Sequence, residues 1–295
     1  MNFTEKQREI LDFKKQNPSL SVNQISIALG TNYEYTRRTI LATEEYGRMQ
    51  ELQDSIAPKL SERKRFEGNG IITGDYHCPA VDMKMVDYVI QDAQKERIRR
   101  LFIVGDFINF DVLSAYARKL NGDERLPKVS DELLIGYLVM CKLSEVFDEI
   151  WYFAGNHEKR FARAVSNTLT FDVIIKTFDI DVLRLVNSYD FYIDDIRVVH
   201  PKSYSQIKLS VANKLSATNT SPIIQAHGHF FSAGFGLAGE KYPICDLGCM
   251  CDAERIPYMN EELTTYPKWN RGYWIYKDGQ LYPRANRFGL NLYET

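Results

Sequence analysis

Cysteine is scarce and odd in number, five in 295 residues, which excludes the dense, even set of a secreted disulfide framework. The thiols are expected to be reduced. Cys245, Cys249 and Cys251 cluster as C-x3-C-x-C, but a fourth ligand at zinc spacing is missing, so they read as buried strand thiols. Long apolar runs are missing too. The longest, Leu133 to Cys141 with Gly136 inside it, falls far short of the roughly 20 residues of a membrane-spanning helix, and no membrane partner is expected. The opening Met1-Asn2-Phe3-Thr4-Glu5-Lys6 carries charge where a secretory leader carries its apolar stretch, so a cytoplasmic location is expected. Nor is there an excess of one charge: a net −2 gives no global field to draw in nucleic acid, and any attraction has to be local.

What is present is an ordinary globular composition, 44% hydrophobic and 26% charged, in a chain long enough for one large α/β domain and an appendage. Charge divides the two. Residues 1–65 hold 11 Lys/Arg against 9 Asp/Glu, leaving 26 against 30 for the remainder. Three capping-box spacings mark helix starts in the first part: Thr4 with Gln7, Ser21 with Gln24, and Thr31 with Glu34. Helical apolar spacing follows each, as Ile10/Leu11, Val22/Ile25/Ala28/Leu29 and Tyr33/Ile40/Leu41. Asn17-Pro18 should end the first helix, and Gly30 should turn the second into the third. The segment 1–46 resembles a trihelical helix-turn-helix. Residues 47–69, with Pro58, a basic stretch from Lys59 to Arg65 and Gly68-Asn69-Gly70, read as a linker.

From residue 70 to 295 the expected class is α/β. Ile71-Ile72-Thr73, Leu101 to Val104 and Ile150 to Phe153 read as buried strands, with helices over 82–97 and 130–147 between them. Such alternation implies a largely parallel sheet. After about residue 190 strands and turns alternate, and a second, more antiparallel sheet is expected. It should end in the hairpin Trp274 to Tyr282 around Asp278-Gly279.

The informative residues follow the strands. They are Gly74-Asp75-Tyr76-His77, Gly105-Asp106-Phe107-Ile108-Asn109, Gly155-Asn156-His157-Glu158, then His200, and finally Ala226-His227-Gly228-His229. Carboxyl ends of strands are where open α/β sheets place ligands. All five histidines of the chain fall in this set. Imidazole with carboxylate and amide oxygen suits borderline-to-hard divalent metals such as Mn, Fe or Zn, whereas calcium would want oxygen alone.

The order D-x-H, G-D-x-x-N, G-N-H-E, H, H-x-H resembles the calcineurin-like metallophosphoesterase superfamily over roughly residues 70 to 250. The resemblance implies an α/β/β/α two-sheet sandwich and two divalent transition-metal ions, Mn first, with Fe, Zn or Ni as alternatives. One ion would be held by Asp75, His77, Asp106 and His229, the other by Asp106, Asn156, His200 and His227, so that Asp106 bridges. His157 would meet the scissile phosphate and protonate the leaving oxygen. Arg160, just past that motif, could contact phosphate at the start of a helix. Two departures stand out. Asn109 occupies a position where many relatives have a carboxylate that orients the catalytic histidine, which favours activated esters or diesters. Ala226 stands where a glycine is usual.

The resulting expectation is a phosphoesterase acting on phosphodiesters of DNA or another nucleic acid or nucleotide. DNA would be met by Tyr33, Tyr35, Arg37 and Arg38 of the third helix, with Leu41 turned to the core. Phosphomonoester hydrolysis is the alternative; a DNA-binding regulator with a scaffold-only phosphoesterase domain is the rival from another class. The appendage could instead serve dimerisation, and the oligomeric state is left open.

Overall fold

The computed structural model of the chain describes residues 3–56, 63–114, 126–164, 171–256, 259 and 269–285. It divides into two compact units, 1–62 and 63–295. In the first, α1 (Glu5–Gln16) and α2 (Val22–Ala28) begin with the two expected capping boxes, Thr4 with Gln7 and Ser21 with Gln24. The third expected box does not form. Asn32 caps α3 (Tyr33–Ile56) by accepting from the amides of Glu34 and Tyr35 at 2.9 and 3.2 Å, and Thr31 bonds Thr36 instead. An Asx side chain one residue nearer the helix reaches these donors first. Ile10, Ile25 and Ile40 form the buried centre of the three helices, with Phe13, Leu20, Val22 and Leu29 around it. Leu41, expected in the core, is 38% exposed, because Ile40 and the buried Thr36 and Thr39 occupy the inward side of α3.

Parts of the expected linker 47–69 carry secondary structure. Residues to Ile56 continue α3, and Arg65–Phe66 is a strand, β1. Pro58 and Lys59 lie outside the described residues.

The second unit holds two six-stranded sheets with helices outside, the sandwich architecture expected. The first contains β2 (Gly70–Thr73), β3 (Arg100–Val104), β4 (Glu149–Phe153) and β5 (Leu183–Val186), all parallel. Helices α4 (Met83–Glu96) and α5 (Val129–Ser144) connect them. Strand periodicity of two sends alternate residues to opposite faces. Ile71, Leu101, Ile103, Ile150 and Tyr152 pack in one cluster with Val86, Val89 and Leu143 of those helices. Ile72, Phe102, Val104 and Phe153 pack in a second cluster with Phe191, Val198 and Ile224 of the other sheet. Both faces are buried, which is why these strands read as unbroken apolar runs.

The other sheet orders as β1, β6 (Asp190–Ile193), β7 (Ile196–Val199), β8 (Ile223–Gln225), β10 (Pro243–Asp246) and β9 (Ser232–Phe235). Two expectations change here. Three of its five pairings are parallel, so the sheet is mixed. The hairpin β11 (Gly272–Lys277) and β12 (Gln280–Ala285) belongs to the first sheet, where β11 pairs antiparallel with β2. Tyr273 and Ile275 reach the helix-side cluster while Trp274 and Tyr276 reach the inter-sheet one, so β11 is buried on both faces and β12 forms the outer, more exposed edge of the sheet.

All five cysteines are free, and Cys245, Cys249 and Cys251 are buried as expected. No helix among the described residues is long and apolar enough to cross a membrane. Between the sheets, Phe191 stacks on Phe153 at 4.0 Å and on Phe102 at 5.0 Å. Phe191→Ala should therefore cost about 3–5 kcal/mol, read as a lower midpoint of urea unfolding; an unchanged midpoint would mean the aromatic stack does not hold the sheets together.

Candidate metal centre

Each chemistry-bearing loop follows a strand. Asp75 and His77 follow β2, Asp106 and Asn109 follow β3, Asn156 and His157 open α6 (Asn156–Ala164) after β4, His200 follows β7, and His227 and His229 follow β8. Five of these side chains sit on left-handed backbone: Asp75 (φ 54°), His77 (48°), Asp106 (49°), His227 (69°) and His229 (59°). Non-glycine residues pay about 1–2 kcal/mol each there, so the surroundings must over-determine them. They do. The first two loops are zipped together by amide-to-carbonyl bonds from Asp75 to Gly105, His77 to Asp106 and Cys78 to Phe107, at 2.9–3.1 Å.

Glu158 fixes the third loop against the second. Its fully buried carboxylate accepts from the amides of Asp106, Phe107, Ile108 and Gly155 and from the Tyr152 hydroxyl. Gly155 is required by this closeness, since a Cβ on it would lie 2.1 Å from Asp106 Oδ1.

Two groups of ligating atoms result, each with its members within 4.8 Å of one another: Asp75, Asp106, His200 and His227, and Asp75, His77 and His229. Asp75 stands in both. Within the second, His229 Nε2 is 3.0 Å from Asp75 Oδ1 and 3.2 Å from His77 Nε2. Within the first, Asp106 Oδ2 is 3.3 Å from His200 Nε2 and 3.8 Å from His227 Nδ1. Asn156 Oδ1 adds a further oxygen, 2.9 Å from His200 Nε2. His200 and His77 are oriented from behind: Nδ1 of His200 donates to the Val104 carbonyl at 2.8 Å, and Nδ1 of His77 donates to Asn109 Oδ1 at 3.0 Å. Each thereby turns Nε2 inward, the arrangement typical of metal-ligating histidines. Trp269 covers this side, edge-on to His229 at 3.9 Å and stacked beside His77.

The residues ask for cations. Asp106 Oδ2, His227 Nδ1 and His229 Nδ1 are buried without a hydrogen-bond partner, a cost of about 1–3 kcal/mol each unless something answers them. Burial acts to lower the His200 imidazole, yet the carboxylates of Asp106 and Asp75 and the Val104 carbonyl overcome it and push it up to about 10. Burial would likewise raise Asp75 and Asp106, but the surrounding imidazoles, His229 for the first and His157 and His200 for the second, hold both below the usual carboxylate range. Mixed nitrogen and oxygen donors around these carboxylates fit a dinuclear metal site.

His157 stands beside the ligands, its amide donating to Asp106 Oδ1 at 2.9 Å and its Nε2 3.6 Å from Asp106 Oδ2. Burial first, then Arg160 and His77, hold it well below the ordinary histidine range although Asp106 pulls the other way. Asn109 departs from expectation. Its side chain orients His77, and only its backbone carbonyl serves His157, accepting from Nδ1 at 2.5 Å. Arg160 is committed to protein groups: the carbonyls of Asn109 and Phe110, Asp111 Oδ1 at 3.0 Å, and His157 Nε2 at 3.1 Å. In the first unit Tyr33 and Tyr35 are exposed, and Arg37 and Arg38 both pair with Glu34.

Sequence reading gave no role to Glu158, Asp111, Glu132, Asp246 or Trp269. Glu158 lies inside the quoted Gly-Asn-His-Glu motif. Asp246 carries no local signal: it reaches the His227–His229 loop from β10, the strand paired with β8, accepting from Gln225 Nε2 and the amides of Phe230 and Gly248.

No family model matches the chain, and no curated protein matches it. Among solved structures, the chain is similar to Yfce, a phosphoesterase from E. coli, with 11% identity, 72% of this chain and 90% of that one covered, and a TM-score of 0.35. It is also similar to Pseudomonas putida nuclease MPE, with 12% identity, 72% and 86% covered, and a TM-score of 0.34. At that identity the likeness is one of chain path only.

Because Asp106 leaves no room beside Gly155, Gly155→Ala should displace that carboxylate and weaken Mn binding by at least about 10-fold in a calorimetric titration. Wild-type affinity in this variant would show that Asp106 does not help to hold the ion.

Proposed function

We propose that the chain is a phosphoesterase dependent on two divalent metal ions, cleaving phosphodiester bonds of a nucleic acid or nucleotide. The observation that carries the reading is the buried Asp106 Oδ2, with no hydrogen-bond partner, facing the imidazoles of His200 and His227 at 3.3 and 3.8 Å. One ion would be held by Asp75, His77, Asp106 and His229 and the other by Asp106, Asn156, His200 and His227, with Asp106 as the bridge and Asp75 beside it. Manganese is the first metal to test. When bound, such ions supply Lewis acidity toward the phosphoryl group and toward the water that attacks it.

The chain's own contribution is positioning and proton transfer. His157, whose Nδ1 hydrogen is spent on the Asn109 carbonyl, offers Nε2 to the leaving oxygen. Arg160 Nη2, next to that nitrogen, would meet the phosphate while Nη1 stays on Asp111. A histidine resting on a neutral carbonyl has its imidazolium stabilised less than one resting on a carboxylate. It suits good leaving groups, which favours aryl and nucleotidyl diesters over alkyl monoesters.

The nucleic-acid part of the proposal rests on the first unit. Arg37 and Arg38 are exposed, and surface pairs such as theirs with Glu34 are worth only about 0–1 kcal/mol, so phosphate can compete for them. Tyr33 and Tyr35 flank them on α3.

Chelation should abolish turnover of a bis-aryl phosphate, and Mn should restore it with about two ions bound per chain; full activity after exhaustive metal removal would sink the reading. Mono-aryl turnover exceeding bis-aryl turnover would favour the monoesterase alternative. Asp106→Asn should lose more metal than His229→Ala, the reverse order arguing against Asp106 as the bridge. His157→Ala should keep its metal and lose about 10²–10⁴ in turnover, more for alkoxide than for nitrophenolate leaving groups. In the full chain, Arg37→Ala with Arg38→Ala should weaken DNA binding and flatten its salt dependence; unchanged affinity would remove the case for a DNA-binding appendage.

A further inference from the structure

We propose that Asp111 is a positioning residue for this centre, one carboxylate that sets the hydrogen placement of a metal-ligating imidazole and the seat of the cation beside His157 without touching either ring. The proposal rests on the two-metal reading above.

Asp111 is 2% exposed and opens a short 3-10 turn, Asp111–Leu113. Its carboxylate is engaged outside the turn, by Asn109 and Arg160. Its backbone is pinned from below. Glu132, fully buried on α5, accepts from the amides of Phe110 and Asp111 at 3.0 and 3.3 Å.

The two carboxylate oxygens then act in different directions. Oδ2 accepts from Asn109 Nδ2 at 2.5 Å. A carboxylate only accepts, so this bond decides which end of the Asn109 amide faces the other way. The oxygen end faces His77, 3.0 Å from Nδ1. An amide oxygen also only accepts, so His77 must carry its hydrogen on Nδ1 and leave Nε2 bare, 3.2 Å from His229 Nε2 and 3.8 Å from Asp75 Oδ1. Were the amide reversed, its NH2 would face Nδ1, and the hydrogen would move to the nitrogen that should bind metal. Oδ1 of Asp111 accepts from Arg160 Nη1 at 3.0 Å, and Arg160 Nη2 lies 3.1 Å from His157 Nε2. The guanidinium is planar and rigid, so fixing Nη1 fixes Nη2.

Chemistry then suggests a swap. In Asp111→Asn the side chain keeps its shape but has one acceptor for two donors, Asn109 Nδ2 and Arg160 Nη1. In Asn109→Asp two carboxylates would meet at the 2.5 Å contact. The double variant, Asn109→Asp with Asp111→Asn, exchanges the two side chains. The amide then at position 111 donates to the carboxylate at position 109 and accepts from Arg160, while that carboxylate still accepts from His77. Every bond is remade with the charge moved by one link. The test uses the full chain and titrates Mn by calorimetry, follows the His77 ring nitrogens by 15N NMR, and records thermal unfolding. Asp111→Asn should weaken Mn binding about 10- to 100-fold, the usual effect of losing a partner behind a ligand, with the His77 hydrogen shifted from Nδ1. The double variant should recover most of the affinity. Wild-type affinity and tautomer in Asp111→Asn, or a lower melting temperature as its only effect, would overturn the proposal, as would a double variant no better than the worse single one. If the wild-type chain binds Mn but cleaves no phosphoester, the functional reading fails while this test still stands.

Discussion

The centre depends on one buried carboxylate that stands outside both candidate ligand groups. Glu158 gathers four backbone amides and a tyrosine hydroxyl from two consecutive strand ends. Burial and the neighbouring Asp106 both push its pKa upward, so the donors have to compensate a group that would otherwise resist ionising. In return it fixes the backbone of Asp106, whose carboxylate faces the opposite way into the ligand cluster. Two like charges a few ångströms apart are tolerated because each has its own set of partners, amides for one and imidazoles for the other. A fully satisfied buried network of this kind specifies a single arrangement, whereas a partly satisfied one would destabilise the site it supports.

The sheets provide the frame on which that network acts. Strands β2, β3 and β4 run parallel, so their carboxyl ends emerge side by side, and the three loops meet without long connections. β7 and β8, parallel to each other, deliver His200 and His227 in the same manner. Left-handed backbone at five candidate ligand positions is the local cost of turning side chains sharply out of strand ends. It is carried by the packing of the two apolar clusters on either face of the first sheet.

Much of this was legible in the residues alone. Period-two burial on both faces made β2, β3 and β4 visible as apolar runs, and histidines confined to strand ends marked the centre. Less legible were features that depend on pairing across the chain. The hairpin around Asp278-Gly279 was plain, but nothing local says that Trp274 should lie opposite Ile72 in the first sheet. The α3 cap went to Asn32, not Thr31, because both spell a helix start and only geometry separates them. Leu41 looked like core by spacing, yet two threonines took the inward positions. Asn109 does orient a histidine, but not the expected ring, since its backbone carbonyl and its side-chain oxygen serve different histidines, a division no sequence pattern can express.

The pairing of β11 with β2 has a bearing on how the molecule comes to exist. The strand that leads into Asp75 has one edge satisfied early, by β3, and the other only by residues some two hundred positions later. During synthesis that edge has to wait, offering unpaired amides and carbonyls to whatever lies nearby. Contacts so distant in sequence make for slow closure. The nascent chain therefore passes through a stage in which most of the ligands have been made but the sheet beneath the first of them is still open on one side.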